Sequence, residues 1–155
     1  MAAIGFTLGL PAWAGAGPPP GAADPAGAAV HYDLGQLALK RGDTDTALRE
    51  LKTAAALAPD SARIHLALGD AYGRSAEKAG VFSKFTLARK CLAEFERAVS
   101  LEPDNAEIHE RLFEYYSRAP FFLGGGSDKA AAEAAIIKRL GPGFAPAPDA
   151  SKGPK

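Results

Sequence analysis

From residue 28 to residue 142 the apolar positions recur at helical spacing. Leu34, Leu51, Leu68, Tyr72 and Phe95 fall on faces spaced i, i+3, i+4, the stripe of an amphipathic helix that buries one side. Small residues (Gly35, Ala47, Ala54, Gly69 and Ala98) stand where two such helices cross and let the backbones approach closely. Pro59, Pro103 and Pro142 end a helix each, because proline cannot donate its backbone bond inside one. Asp24-Pro25, Asp60-Ser61 and Asp104-Asn105 place capping oxygens at or near the next helix starts. The pattern predicts an all-α fold of helix pairs, each pair a hairpin whose two apolar stripes face one another.

The pairs repeat. In residues 28–61 the recurring slots are His31, Leu34, Gly35, Ala38, Ala47, Leu51, Ala54 and Pro59. In residues 62–105 they are His65, Leu68, Gly69, Tyr72, Cys91, Phe95, Ala98 and Pro103. In residues 106–142 they are His109, Leu112, Phe113, Tyr116, Ala130, Ala134, Ile137 and Pro142, with Phe113 where the other windows have glycine. This order of slots, with an ungapped first window of 34 residues, resembles the tetratricopeptide-repeat family. The resemblance, which extends to small exported bacterial members, implies a right-handed α-solenoid of three hairpins at residues 25–142, the second elongated. An N-terminal linker at 15–24 and a tail at 143–155, both rich in Gly, Pro and Ala, are expected to be disordered.

The second and third windows carry insertions at the turn inside the hairpin. The second has ten extra residues within GRSAEKAGVFSKFTLARK, expected as about five added to each helix and a lengthening of roughly 7 Å. The third has five, in APFFLGGGSD, a loop that Ser127 or Asp128 is expected to close by capping the following helix. Both insertions project from the same edge in adjacent repeats. They bring Val81, Phe82 and Phe85 near Phe121, Phe122 and Leu123. The favoured expectation is a satellite core in which these groups cover one another; the alternative is an exposed docking patch.

Charge narrows the partner class. With 18 basic and 18 acidic residues in 155, the formal net charge is zero, which removes the electrostatic drive that nucleic acid or anionic lipid needs. A single cysteine, Cys91, excludes an internal disulfide and a Cys-rich zinc site. Residues 1–14, MAAIGFTLGLPAWA, read as a signal-peptide core with a small-residue cleavage pattern, which leads to an exported, periplasmic or extracellular protein. No Lys or Arg precedes the run, which points to a start codon upstream; the alternative is an apolar N-terminus of a cytoplasmic protein. The run is shorter than the ~20 residues a bilayer span needs, so no stable membrane span is expected.

No catalytic constellation is visible. The three histidines share one slot, yet helices packed 8 to 10 Å apart would hold them parallel, not converging on a zinc ion. They are expected as planar slot fillers, with no metal and no cofactor. HERLF at 109–113 lacks the second histidine of a zincin, GxSxG is absent, and the Gly-rich loop lacks the phosphate-binding spacing. Cys91 is expected as a small buried residue.

What the resemblance implies is a non-enzymatic module that binds a protein or peptide partner, an envelope scaffold or adaptor. A periplasmic accessory protein for a small ligand or peptide is the alternative. The family's groove slots fall here on Tyr32, Gln36 and Lys40, on Arg63, Asp70 and Arg74, and on Glu107, Glu110, Glu114 and Arg118. Oligomeric state is left open.

Overall fold

The computed structural model describes residues 24–141; the apolar run 1–14, most of the linker, Pro142 and the tail lie outside the described residues. Six helices follow one another: α1 (Pro25–Arg41), α2 (Thr44–Leu57), α3 (Ala62–Lys78), α4 (Val81–Leu101), α5 (Ala106–Arg118) and α6 (Ser127–Leu140). A short 3-10 turn, Phe121–Leu123, lies between the last two. They form three antiparallel hairpins, α1/α2, α3/α4 and α5/α6, stacked in chain order into an α-solenoid, with α2 packed on α3 and α4 on α5.

Local chemistry sets the ends. Asp24 accepts the Gly27 amide at 3.0 Å, with Pro25 in the first helical position where its missing N–H is no loss. Gly42, at φ 75°, closes α1 in the left-handed conformation that residues with a Cβ avoid. Asp43 and Asn105 cap α2 and α5. Two expected caps are not made. Ser61 precedes α3 without a side-chain bond, while its neighbour Asp60 binds Arg97 at 2.9 Å. Ser127 is already inside α6, preceded by Gly126, because the loop folds back on α5: the Gly126 amide donates to the Tyr116 carbonyl at 3.0 Å.

The ten inserted residues divide unevenly. The break falls at Ala79-Gly80, so α3 runs three residues beyond the α1 pattern and α4 starts seven residues before the α2 pattern, an overhang of roughly 10 Å on α4. The five residues of the third repeat enter the loop alone.

The main core cluster runs along the hairpin seams, with Leu51, Leu68, Tyr72, Phe95, Ile108 and Leu112 buried in it, and a smaller one of Ala28, Ala54 and Ile64 lies beside it. Gly35 and Gly69 sit against Leu51 and Phe95 so closely that a Cβ would collide with either side chain. Leu34 departs from expectation. It is 46% exposed, whereas its counterparts Leu68 and Leu112 are buried, because those lie under α2 and α4 and no helix among the described residues covers the same face of α1.

Each hairpin is also tied by a histidine. His31, His65 and His109 donate from Nδ1 to Glu50, Glu94 and Glu133 of the paired second helix at 2.8, 2.7 and 2.6 Å. His65 and His109 reach further, from Nε2 to the Pro59 and Pro103 carbonyls of the preceding repeat at 2.9 and 2.8 Å. The ring of His65 thus faces two acceptors and satisfies both only as imidazolium; its hydrogen bond to Glu94 holds its pKa above the ordinary value although burial opposes this.

Candidate functional site

The first helices α1, α3 and α5 carry the residues assigned to a groove, and the structure sorts these into two groups. Between α1 and α3, the Arg63 guanidinium lies 4.2 Å from the centre of the Tyr32 ring, and Gln36 donates to the Tyr32 hydroxyl at 2.7 Å. Between α3 and α5, Asp70, Arg74, Glu114 and Arg118 line a cavity of about 790 Å³. Lys40 and Glu110 join neither group: they line no part of the cavity, and neither makes an ion pair or side-chain hydrogen bond among the described residues.

Cavity walls come from α3 and α5, and the floor from Cys91 and Phe95 of α4. Arg111 bridges the walls, 3.1 Å from Asp70, with Glu107 farther off at 3.9 Å. Burial raises the Asp70 carboxyl above the usual carboxylate value, and Arg111 offsets only part of that. Arg74 donates to the Leu39 carbonyl at 3.2 Å, and Arg118 pairs with Glu114 at 2.7 Å. Lys84 and Glu77, both exposed at the mouth, make no ion pair among the described residues. Arg111 and Asp70 thus pair across the walls, while Glu114 and Arg118 pair along α5.

The inserted edge adjoins this cavity. Phe85 and Leu123 line it, and the Phe85 and Phe122 rings meet edge to face at 5.7 Å, so the two insertions do touch. The Tyr115 hydroxyl sits between the Ala88 and Leu123 carbonyls at 3.1 and 2.9 Å and fastens the loop to α4. Burial pushes that hydroxyl up to about 12. The satellite core is nevertheless not formed: Phe82 is 90% and Phe121 85% exposed, and Val81 and Phe122 are exposed as well. These side chains stand at the tips of the α4 overhang and the loop; Phe122 touches the Phe85 and Phe121 rings and is still 56% exposed.

Arg111, Tyr115, Lys84 and Cys91 belong to the cavity and were not among the groove slots. A helical wheel of α5 finds the first, since Arg111 lies four residues after Glu107 and three before Glu114 on one face. The others depend on how the insertions fold. Burial pushes the Cys91 thiol up to about 12, so little of it is the nucleophilic thiolate at neutral pH. The histidines do not converge, and the described residues hold no group of three or more His, Cys, Asp or Glu able to bind a metal. No described helix is long and apolar enough to cross a membrane.

Residues 38–75, the end of α1 with α2 and most of α3, match a family model described as a TPR repeat. No curated protein matches the chain.

Proposed function

We propose that this chain, which belongs to the tetratricopeptide-repeat family, is a non-enzymatic scaffold or adaptor of the cell envelope. It holds a protein or peptide segment in the cavity between α3 and α5. Proteins built of such repeats mediate protein–protein contacts, and the observation that carries the reading here is that cavity: about 790 Å³, with charged walls, an apolar floor and aromatic groups at its mouth. Such a site offers an apolar anchor point and polar groups that fix orientation. Asp70 and Glu114 are ion-paired and the Cys91 thiol is buried, which suits recognition. The signal-like run at residues 1–14 supports export.

A photo-crosslinking residue at position 118, carried by the full chain in envelope extract, tests the cavity. The expected result is a discrete adduct that the same probe at position 49, on exposed α2 surface, does not give. Equal adducts at both positions overturn the groove assignment. Export is tested separately by intact mass after expression from an upstream start, with a mature chain beginning at or near Gly15 expected.

A further inference from the structure

The first repeat leaves open a face that the other two keep covered. Val30, Leu34 and Leu37 occupy the slots of Ile64, Leu68 and Ala71 in α3 and of Ile108, Leu112 and Tyr115 in α5. On α3 this face is buried, with Ile64 packed among Ala54, Ala55 and Leu57 of α2. On α1 the same three positions are 60%, 46% and 43% exposed. At spacing i, i+4, i+7 they form one continuous apolar stripe.

Two polar groups on α1 lack what their counterparts have. Nε2 of His65 and of His109 binds a prolyl carbonyl two residues beyond the preceding second helix, whereas no acceptor among the described residues meets His31 Nε2. Lys40 stands in the slot of Arg74, which donates to the Leu39 carbonyl of the preceding hairpin; Lys40 makes no such bond. Stripe and imidazole each continue an interface that the molecule builds twice internally, at α2/α3 and α4/α5, while the cation has its counterpart once, in Arg74.

We infer that the outer face of α1 is a docking surface for the second helix of a helical hairpin in another protein, seated on α1 as α2 seats on α3. The templates describe this partner. It is an amphipathic helix with the apolar pairs of Leu48 and Ala55 or of Leu92 and Val99, ending in Leu-x-Pro as at Leu57-Ala58-Pro59 and Leu101-Glu102-Pro103. A second copy is a poor occupant, since α6 has Ala131 and Lys138 in those two slots. Residues 10–23, which align with α2, carry Pro18, Pro19 and Pro20 in their middle, and proline is costly inside a helix.

The inference is independent of the cavity between α3 and α5, and its test can fail without touching that site. The probe is a labelled synthetic peptide of residues 44–60, the α2 helix with its proline, titrated into the full chain by fluorescence anisotropy. Saturable binding is expected, weakened about tenfold or more by Leu34→Asp in the full chain and equally by Leu48→Asp in the peptide. Leu34→Asp should leave the thermal midpoint nearly unchanged, because the side chain is half exposed, and should leave crosslinking from position 118 intact. Absence of saturation, or equal binding by the Leu34→Asp chain, overturns the proposal. So does binding that appears only when Leu10→Asp is introduced, which would make the chain's own N-terminus the occupant. Concentration-dependent dimerisation abolished by Leu34→Asp would likewise overturn it, in favour of a second copy.

Discussion

Gly69 and Gly73 are one turn apart on α3, yet alanine should act on them in opposite directions. Gly→Ala inside a helix gains about 1 kcal/mol of propensity wherever the new methyl fits. At Gly73 it fits: the nearest atom to the added Cβ is the Cys91 sulfur at 3.5 Å, an ordinary contact. At Gly69 the Cβ would enter the Phe95 ring, whose Cζ alone is 3.3 Å away and whose nearer carbons overlap it. Phe95 is buried in the seam, with free space only on the side of the cavity whose floor it forms. Either the ring turns towards that cavity or the helices separate, at about 1 to 3 kcal/mol for overpacking. Gly73→Ala should therefore stabilise by up to about 1 kcal/mol and Gly69→Ala destabilise by roughly 0 to 2 kcal/mol, differences of several degrees in thermal midpoint. Phe95→Leu should relieve the clash, so a double-mutant cycle with Gly69→Ala should show a favourable coupling of about 0.5 kcal/mol or more. Thermal unfolding followed by circular dichroism measures all four proteins. If Gly69→Ala raised the midpoint as much as Gly73→Ala does, the close crossing of α3 on α4 would be refuted.

Three further outcomes are expected. His65 has its pKa raised by Glu94, so its contribution to stability is fully present below the ordinary value of 6.5 and is lost as pH rises through the folded value; urea midpoints should fall from pH 6 towards pH 8.5, and Glu94→Gln should flatten that dependence. Cys91, with its thiol at about 12, should react with a disulfide reagent at pH 8 on the order of a thousandfold more slowly in the native chain than in urea. Phe82→Ala and Phe121→Ala should change stability by less than about 0.5 kcal/mol, as at other exposed positions, while Phe85→Ala and Phe122→Ala should couple by about 0.5 kcal/mol or more because their rings touch.

The hairpins were legible because each signal for them is local: an apolar stripe, small residues at crossings, a proline two residues past each second helix. The histidine–glutamate ties were not. Their partners lie 19, 29 and 24 residues apart, and only after the ten- and five-residue insertions are subtracted do these become one constant spacing of 19. The histidines were thus read as slot fillers when they also join helix to helix and, twice, repeat to repeat. The satellite core failed for a related reason. Burying Val81, Phe82, Phe121 and Phe122 requires neighbours, and the uneven split of the second insertion carries two of them out along α4 beyond any helix that could cover them. Of the cavity, Asp70, Arg74, Glu114 and Arg118 were among the groove slots that the family resemblance implies. Lys84, Cys91 and Tyr115 needed the fold of the insertions, which no period in the sequence encodes.

One heptapeptide pattern shows how far local sequence decides the fold. Pro-x-x-Ala-x-(Val/Ile)-His occurs at 25–31, 59–65 and 103–109, but only the last two copies form a turn between helices. In them Pro precedes Asp, and the prolyl carbonyl is free to accept from the histidine six residues on. In the first copy Asp precedes Pro: Asp24 caps the helix and Pro25 opens it, so α1 begins three residues earlier in the repeat than α3 and α5 do. The exchange of two neighbouring residues converts an inter-repeat turn into an added helical turn. It also removes the carbonyl that would have faced His31. Part of the openness of the α1 face is therefore written into residues 24 and 25 themselves.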